Sequence, residues 1–256
     1  MNFKGGTNVL KEFVYDNSFE GLLTAIFYSY AEKEKCCITK SKYFIPSLLN
    51  EIIEIKTEDE KFSRVYKSIR EKLNNQILRN IYMLFLCDIP KSDTLALNYL
   101  KLCYKYGPSI NLAKNNDIII LVDKYCKQVS HEAHILTGFV RFKEVAPLTF
   151  YSCIEPVHNI LPLLIKHFTT RFSDQNFIIH DLKRHIALVY NKDNAIITNF
   201  TKEQAKKFIN STSDKEFEDL WSIFYKSTTI KERKNLRLQR QMMPKRYWNH
   251  IFETQR

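Results

Sequence analysis

The sequence predicts an α+β fold: a mostly helical N-terminal half, a small antiparallel sheet with packed helices, and a C-terminal basic helical segment. Three observations carry this. Up to about residue 136, apolar residues recur three and four apart, the spacing of a helix that buries one face. From Gly138 the period falls to two, the spacing of half-buried strands. Near the end, Lys231–Arg246 hold three Lys, four Arg and a single acid, Glu232. The change of period divides the chain into an α-rich region at 1–112 and an α+β region with the basic helices at 113–256, with one continuous domain as the alternative.

Lys11–Tyr15 reads as a short strand. Asp16, Asn17 and Ser18 then offer caps for a helix over Phe19–Glu32, whose Leu22, Leu23, Ile26, Phe27 and Tyr30 fall on one face. A second strand is expected at Ile38–Phe44 and a short helix at Pro46–Glu54. Helices follow at Glu58–Leu73, Asn75–Leu86 and Ser92–Lys105, the first with acids in its opening turn, where the helix dipole favours them. Gly107-Pro108 closes that block.

Asp117–Leu136 is the next helix, with Gly138 expected at C′. Glu132 falls on its apolar stripe, so its carboxylate must be paired or protonated. Phe139–Glu144 and Thr149–Ile154 read as a hairpin around Ala146-Pro147, and Asn176–Asp181, Arg184–Tyr190 and Ala195–Phe200 as further strands. A helix is expected within Pro156–Phe172; Pro162 makes it either start near Leu161 or kink. Lys202–Ile209 and Lys215–Tyr225 return to helix.

The chain has 256 residues, a net charge of +11 and 45% hydrophobic residues, enough to bury a core without staples. Over half of the positive excess lies beyond residue 200, which favours a polyanionic partner, nucleic acid ahead of membrane. The six Cys show no C-x-x-C and read as small hydrophobes in a reducing cytosol. No apolar run is long enough to span a bilayer and the N-terminus lacks a signal-type apolar region, so a cytoplasmic location is expected.

Five glycines, none in a phosphate-cradling run, exclude P-loop and dinucleotide fingerprints. A nucleophile elbow, a zinc-deaminase signature and a radical-SAM cysteine cluster are also lacking, and no cofactor is expected in this chain. All seven His lie after residue 130, yet His131 and His134 form only one arm of a metal site, and no metal is expected. A polar cluster is the sharper candidate: Glu132 meeting Arg141 across a turn, His158, His167 and Arg171 on the following helix, and Asp181 close to Arg184. Such pairs either line a pocket or tie helices to the sheet.

In the basic stretch, a helix over Lys231–Met243 sets Arg233, Arg237 and Arg240 within about 60° of one another, with Leu238 and Met242 packing on the opposite side. Lys234, Lys245 and Arg246 add charge, and Tyr247 and Trp248 add rings, the chemistry of phosphate contact and base stacking. The pattern of Trp221, Tyr225, Ile230, Arg233-Lys234-Asn235, Leu238-Gln239-Arg240 and Met243-Pro244-Lys245-Arg246-Tyr247-Trp248 resembles the end of a bacterial family of unknown function described as DNA metabolism proteins. Earlier matches are Phe19-Glu20-Gly21-Leu22-Leu23-Thr24-Ala25, Glu132-Ala133-His134, Gly138-Phe139-Val140-Arg141-Phe142, His167-Phe168, Arg171-Phe172 and His180-Asp181. That resemblance implies a companion radical-SAM protein of DNA modification or repair, and some members carry a uracil-DNA-glycosylase-like domain.

The expected function is therefore a nucleic-acid-binding accessory protein that grips DNA through Lys231, Arg233, Lys234, Arg237, Arg240, Lys245, Arg246, Tyr247 and Trp248. The rival is a metal-independent enzyme on DNA that uses Glu132 or Asp181 as base, His158 or His167 as acid, and Arg141 or Arg171 on a phosphate. A third reading is a protein-interaction module whose basic cassette docks on an acidic partner.

Overall fold

The computed structural model of the chain describes residues 10–32, 35–201, 203–205, 227–228 and 235–251. The helix expected at Lys215–Tyr225, most of that at Lys202–Ile209, and Lys231, Arg233 and Lys234 lie outside these residues. The chain forms two compact units, Met1–Ser130 and His131–Arg256. The sequence pattern places the divide near residue 112; in the structure it falls within a helix, α5 (Asp117–Phe139). The α+β class holds, each unit having its own sheet and its own helices.

In the first unit β1 (Leu10–Tyr15) is the middle of a three-stranded sheet, flanked by β2 (Cys36–Lys40) and β3 (Asn50–Ile55), both parallel to it. Parallel neighbours need a crossover, and α1 (Phe19–Tyr30) provides it between β1 and β2. Ser18 caps α1, its Oγ accepting from the Gly21 N–H at 2.8 Å. Leu22, Leu23 and Ile26 are fully buried, each contributing about 1.5–3 kcal/mol relative to exposure. The same core takes Ile69 from α2 (Asp59–Lys72), Ile77, Ile81 and Leu84 from α3 (Asn75–Leu86), and Leu97, Tyr99 and Leu100 from α4 (Ser92–Tyr106). Gly107, at φ 76°, ends α4 with its N–H donating to the Cys103 carbonyl.

The helix expected at Pro46–Glu54 does not form. Leu48 and Leu49, which that helix would contain, are exposed, and the β-branched Ile52, Ile53 and Ile55 instead extend along the edge of β1. The second strand is correspondingly earlier than Ile38–Phe44: it ends at Lys40 and a 3-10 turn, Ser41–Tyr43, follows.

In the second unit α5 runs on to Phe139, so Gly138 sits in its last turn and not at C′. The Val140 N–H still donates to Leu136, and the Phe139 ring packs 6.4 Å from Tyr247, a tertiary contact that favours the extra turn. The hairpin's first strand, β4 (Lys143–Ala146), therefore starts later than the expected Phe139–Glu144. With β5 (Thr149–Ile154), β6 (Asn176–Asp181), β7 (Ile186–Tyr190) and β8 (Ala195–Asn199) it builds a sheet in chain order. The sheet is mixed rather than wholly antiparallel. β5 and β6 are parallel, because α6 (Leu161–Arg171) intervenes as a crossover, while the other pairs are antiparallel. α6 starts late, at Leu161, with Pro162 in its first turn, where a missing N–H costs nothing.

Alternation sends Phe177 to the α6 face, where Phe142 lies 5.6, 5.1 and 5.8 Å from the rings of Phe168, Phe172 and Phe177. Ile178 points the other way, into a cluster with Tyr151, Ala187 and Phe200. Among the described residues no helix is long and apolar enough to cross a membrane.

Candidate functional site

The carboxyl ends of a parallel strand pair gather loops at one edge, the usual place for function in such sheets. Here β5 leads into the loop 155–160 and β6 ends at Asp181. The Asp181 carboxylate is fully buried: Oδ2 accepts from Arg184 Nη1 at 2.8 Å, and Oδ1 accepts from the backbone N–H groups of Lys183 and Arg184. Burial pushes this carboxyl up, and the Arg184 guanidinium acts against that rise. Arg184 also donates to the carbonyls of Pro156 at 3.2 Å and Val157 at 2.6 Å, and Lys183 Nζ donates to Val157 at 3.1 Å.

On its N–H side the same loop meets Glu132, from α5. Glu132 is 3% exposed; Oε1 accepts from Val157 N–H at 2.9 Å and Oε2 from His158 N–H at 2.8 Å. Cations therefore hold the loop's carbonyls and a carboxylate holds its amides, each matched to the polarity of the peptide group.

Glu132 Oε1 also accepts a hydrogen bond from the Tyr247 hydroxyl. Tyr247 is 2% exposed; burial first, and then the adjacent carboxylate, raise its phenol above the ordinary range, so it stays a donor. Arg246 lies with its guanidinium 4.7 Å from the Tyr247 ring centre, donates to the Tyr247 oxygen at 2.9 Å and stands 3.7 Å from Glu132. The guanidinium expected at Glu132 is that of Arg141; the structure puts Arg246 there, while Arg141 donates to the Gly138 carbonyl. Both carboxylate oxygens of Glu132 accept, and so anchor the loop and the C-terminal segment together.

Of the polar candidates, Glu132 binds the loop directly through the backbone N–H of His158, and Asp181 is linked to it through Arg184. Arg141, His167 and Arg171 are not bonded to it among the described residues. His167 and Arg171 share a face of α6, as their spacing predicts, and line an open groove of about 570 Å³ with Leu163, Lys166 and Thr170. His167 Nε2 is buried without a hydrogen-bond partner among the described residues. Among the described residues no group of three or more His, Cys, Asp or Glu is placed to hold a metal ion.

The basic stretch is not one helix across Lys231–Met243. Asn235 is extended at φ −120°, and its side chain caps α7 (Leu236–Met242) by accepting from Leu238 N–H at 3.0 Å. Arg237 and Arg240, three residues apart, are exposed, as is Lys245 in the 3-10 turn Lys245–His250; none of the three has an ion-pair partner among the described residues. Leu238 and Met242, expected to pack opposite them, are 49% and 65% exposed.

Tyr247 is withdrawn from base stacking by its burial. Trp248 is half-buried, its indole N–H donating to the Met243 carbonyl at 2.9 Å. The segment is fixed a second time by His250, whose Nδ1 lies 3.4 Å from Cys153 Sγ and whose Nε2 lies 3.4 Å from Glu155. Neither anchor is legible in sequence, because the partners are far apart along the chain and nothing local marks them.

No curated protein matches the chain, and no solved structure does. Residues 90–253 match the model of a family described as a domain of unknown function, DUF4130. That stretch includes α4, α5, the strand-end loop, Glu132 and its tyrosine partner. With well over half of its length inside the match, the chain belongs to the DUF4130 family.

Proposed function

We propose that the protein is a nucleic-acid-binding accessory protein in DNA modification or repair, which holds the phosphate backbone through Arg237, Arg240 and Lys245 while a partner carries out the chemistry. One observation supports this reading most: residues 235–251 contain four cations and no acid, expose three of those cations with no ion-pair partner among the described residues, and are pinned to a buried carboxylate at Tyr247. A guanidinium is a planar, pre-organised fork, so little freedom is lost per hydrogen bond when it meets phosphate oxygens. Lys231, Arg233 and Lys234 extend the same charge along the sequence. A radical-SAM enzyme as the partner follows the family resemblance, with this chain contributing the grip on the substrate.

The test is a triple substitution, Arg237→Gln, Arg240→Gln and Lys245→Gln, read by anisotropy of a labelled duplex over a salt series. Affinity is expected to fall by a similar factor for unrelated sequences, and the salt slope to flatten by about 0.9 for each phosphate no longer neutralised. A variant that binds with unchanged affinity and slope would end this reading.

A further inference from the structure

The first unit carries a groove of about 530 Å³ between α1, α2 and α4, within the size range of small-ligand sites. Its α1 wall presents Phe27, Tyr28 and Tyr30, and its α4 wall Tyr104. Ordinary helix seams bury their rings, but Tyr28 and Tyr30 stand 39% and 40% exposed. Tyr30 and Tyr104 meet edge to face at 5.7 Å, and Tyr104 shares a 2.6 Å hydrogen bond with Ser68.

The α2 wall carries charge. Arg64 and Lys72, eight residues apart, fall on one side of the helix and both line the groove. Neither has an ion-pair partner among the described residues, and Arg64 lies 5.5 Å from the Phe27 ring centre. No acid is among the lining residues; at the rim, Glu58 accepts from the Tyr28 hydroxyl at 2.6 Å. Half-exposed rings beside such cations suit a ligand that is flat and anionic at once.

We propose that this groove binds single-stranded nucleic acid, one base lying against Tyr30 beside Tyr104, with Tyr28 on the other flank of α1, while Arg64 and Lys72 hold neighbouring phosphates. An apolar peptide helix would use the rings and leave both cations without a counter-charge; a nucleotide chain uses both features. The proposal rests on the nucleic-acid reading above only for its class of ligand, since none of these residues belongs to the basic segment.

The test uses the full chain with two probes, a labelled oligothymidylate and a labelled duplex. Tyr28→Ala with Tyr30→Ala is expected to weaken oligothymidylate binding about tenfold, the effect of losing a stacked base. Tyr28→Phe with Tyr30→Phe, which keeps the rings, is expected to stay within about twofold of the parent. Arg64→Gln with Lys72→Gln, both exposed on the groove wall, should flatten the oligothymidylate salt slope by about 0.7 for each phosphate released.

Oligothymidylate binding that is absent in the parent, or untouched by both the alanine and the glutamine pairs, overturns the groove proposal whatever the duplex does. Duplex binding that ignores Arg237→Gln, Arg240→Gln and Lys245→Gln overturns the basic-segment reading alone. The two therefore fail separately.

Discussion

The Tyr247 hydroxyl donates to Glu132 Oε1 across 115 positions of sequence, joining the basic C-terminal segment to the carboxylate that also holds the loop after β5. Tyr247→Phe removes one donor from a buried anion and is expected to cost about 1–3 kcal/mol in urea unfolding. Glu132→Gln should cost more, because its new NH₂ must face the backbone N–H of Val157 or of His158. The double variant should lose less than the sum of the two. Strict additivity would show that the two groups do not act together.

Lys40, at the carboxyl end of β2, is buried against Asp93: the pair stands 3.5 Å apart, and Lys40 Nζ donates to the Phe85 carbonyl at 2.7 Å. Burial drives the Asp93 carboxyl up and the Lys40 amine down, so each depends on the other to stay charged. Lys40→Met is expected to destabilise the chain by about 3–5 kcal/mol, since it strands a buried carboxylate. Adding Asp93→Leu should restore most of that loss. Chemical denaturation of the single and double variants reads the difference, and a double variant as unstable as the single one contradicts it.

Two glycines are expected to respond in opposite directions to alanine. A Cβ at Gly21 would collide with Asp16 Oδ1 and stand 2.9 Å from Ser18 Oγ, so Gly21→Ala should cost about 1–3 kcal/mol. A Cβ at Gly138, in the last turn of α5, meets nothing within 4 Å, and Gly138→Ala should gain about 0.5–1 kcal/mol. Thermal melts of the two variants would move apart; shifts of the same sign would refute the close approach at Gly21.

Asp16 accepts from the Ser18 hydroxyl at 2.6 Å and the Thr57 hydroxyl at 2.7 Å. Burial pushes its carboxyl up, but these donors outweigh burial and hold it below the ordinary carboxylate range. A folded-state value below the unfolded one means that Asp16 stabilises the fold above the usual carboxylate range, and that this contribution is lost as pH falls through the folded value. The stability gap between the parent and Asp16→Asn should therefore be widest near neutrality and close in acid. A pH-independent gap in a denaturation series would count against it.

Much of the first unit is legible locally. Ser18, Asn74 and Gly107 mark helix ends by chemistry confined to a few neighbours, and the 3.6 period places α1 to α4. β3 escapes such a reading because Pro46–Glu54 has too few residues for period to separate helix from strand, and its pairing with β1 is non-local. In the site, the position of Glu132 on an apolar stripe announces a buried carboxylate but not its partners: Arg141 is the nearest guanidinium in sequence, and Arg246 and Tyr247 are the groups the fold delivers. The exposed Leu238 and Met242 show the same limit, since amphipathic spacing says which residues share a side and not what covers them.

Local chemistry in the chain is enough to set the α+β class, the starts of α1 to α4, the late start of α6 after Ile160 as one of two options at Pro162, and the concentration of positive charge at the C-terminus. Those properties rest on residues within a turn or two of each other, where backbone sterics and periodicity decide. Long-range packing was needed to set the parallel pairing of β5 with β6, the meeting of Glu132 with Tyr247, and the separation of buried Tyr247 from exposed Arg237, Arg240 and Lys245. Each of these depends on which distant group fills a buried hydrogen-bonding position, and a buried carboxylate accepts any well-placed donor, near or far in the chain.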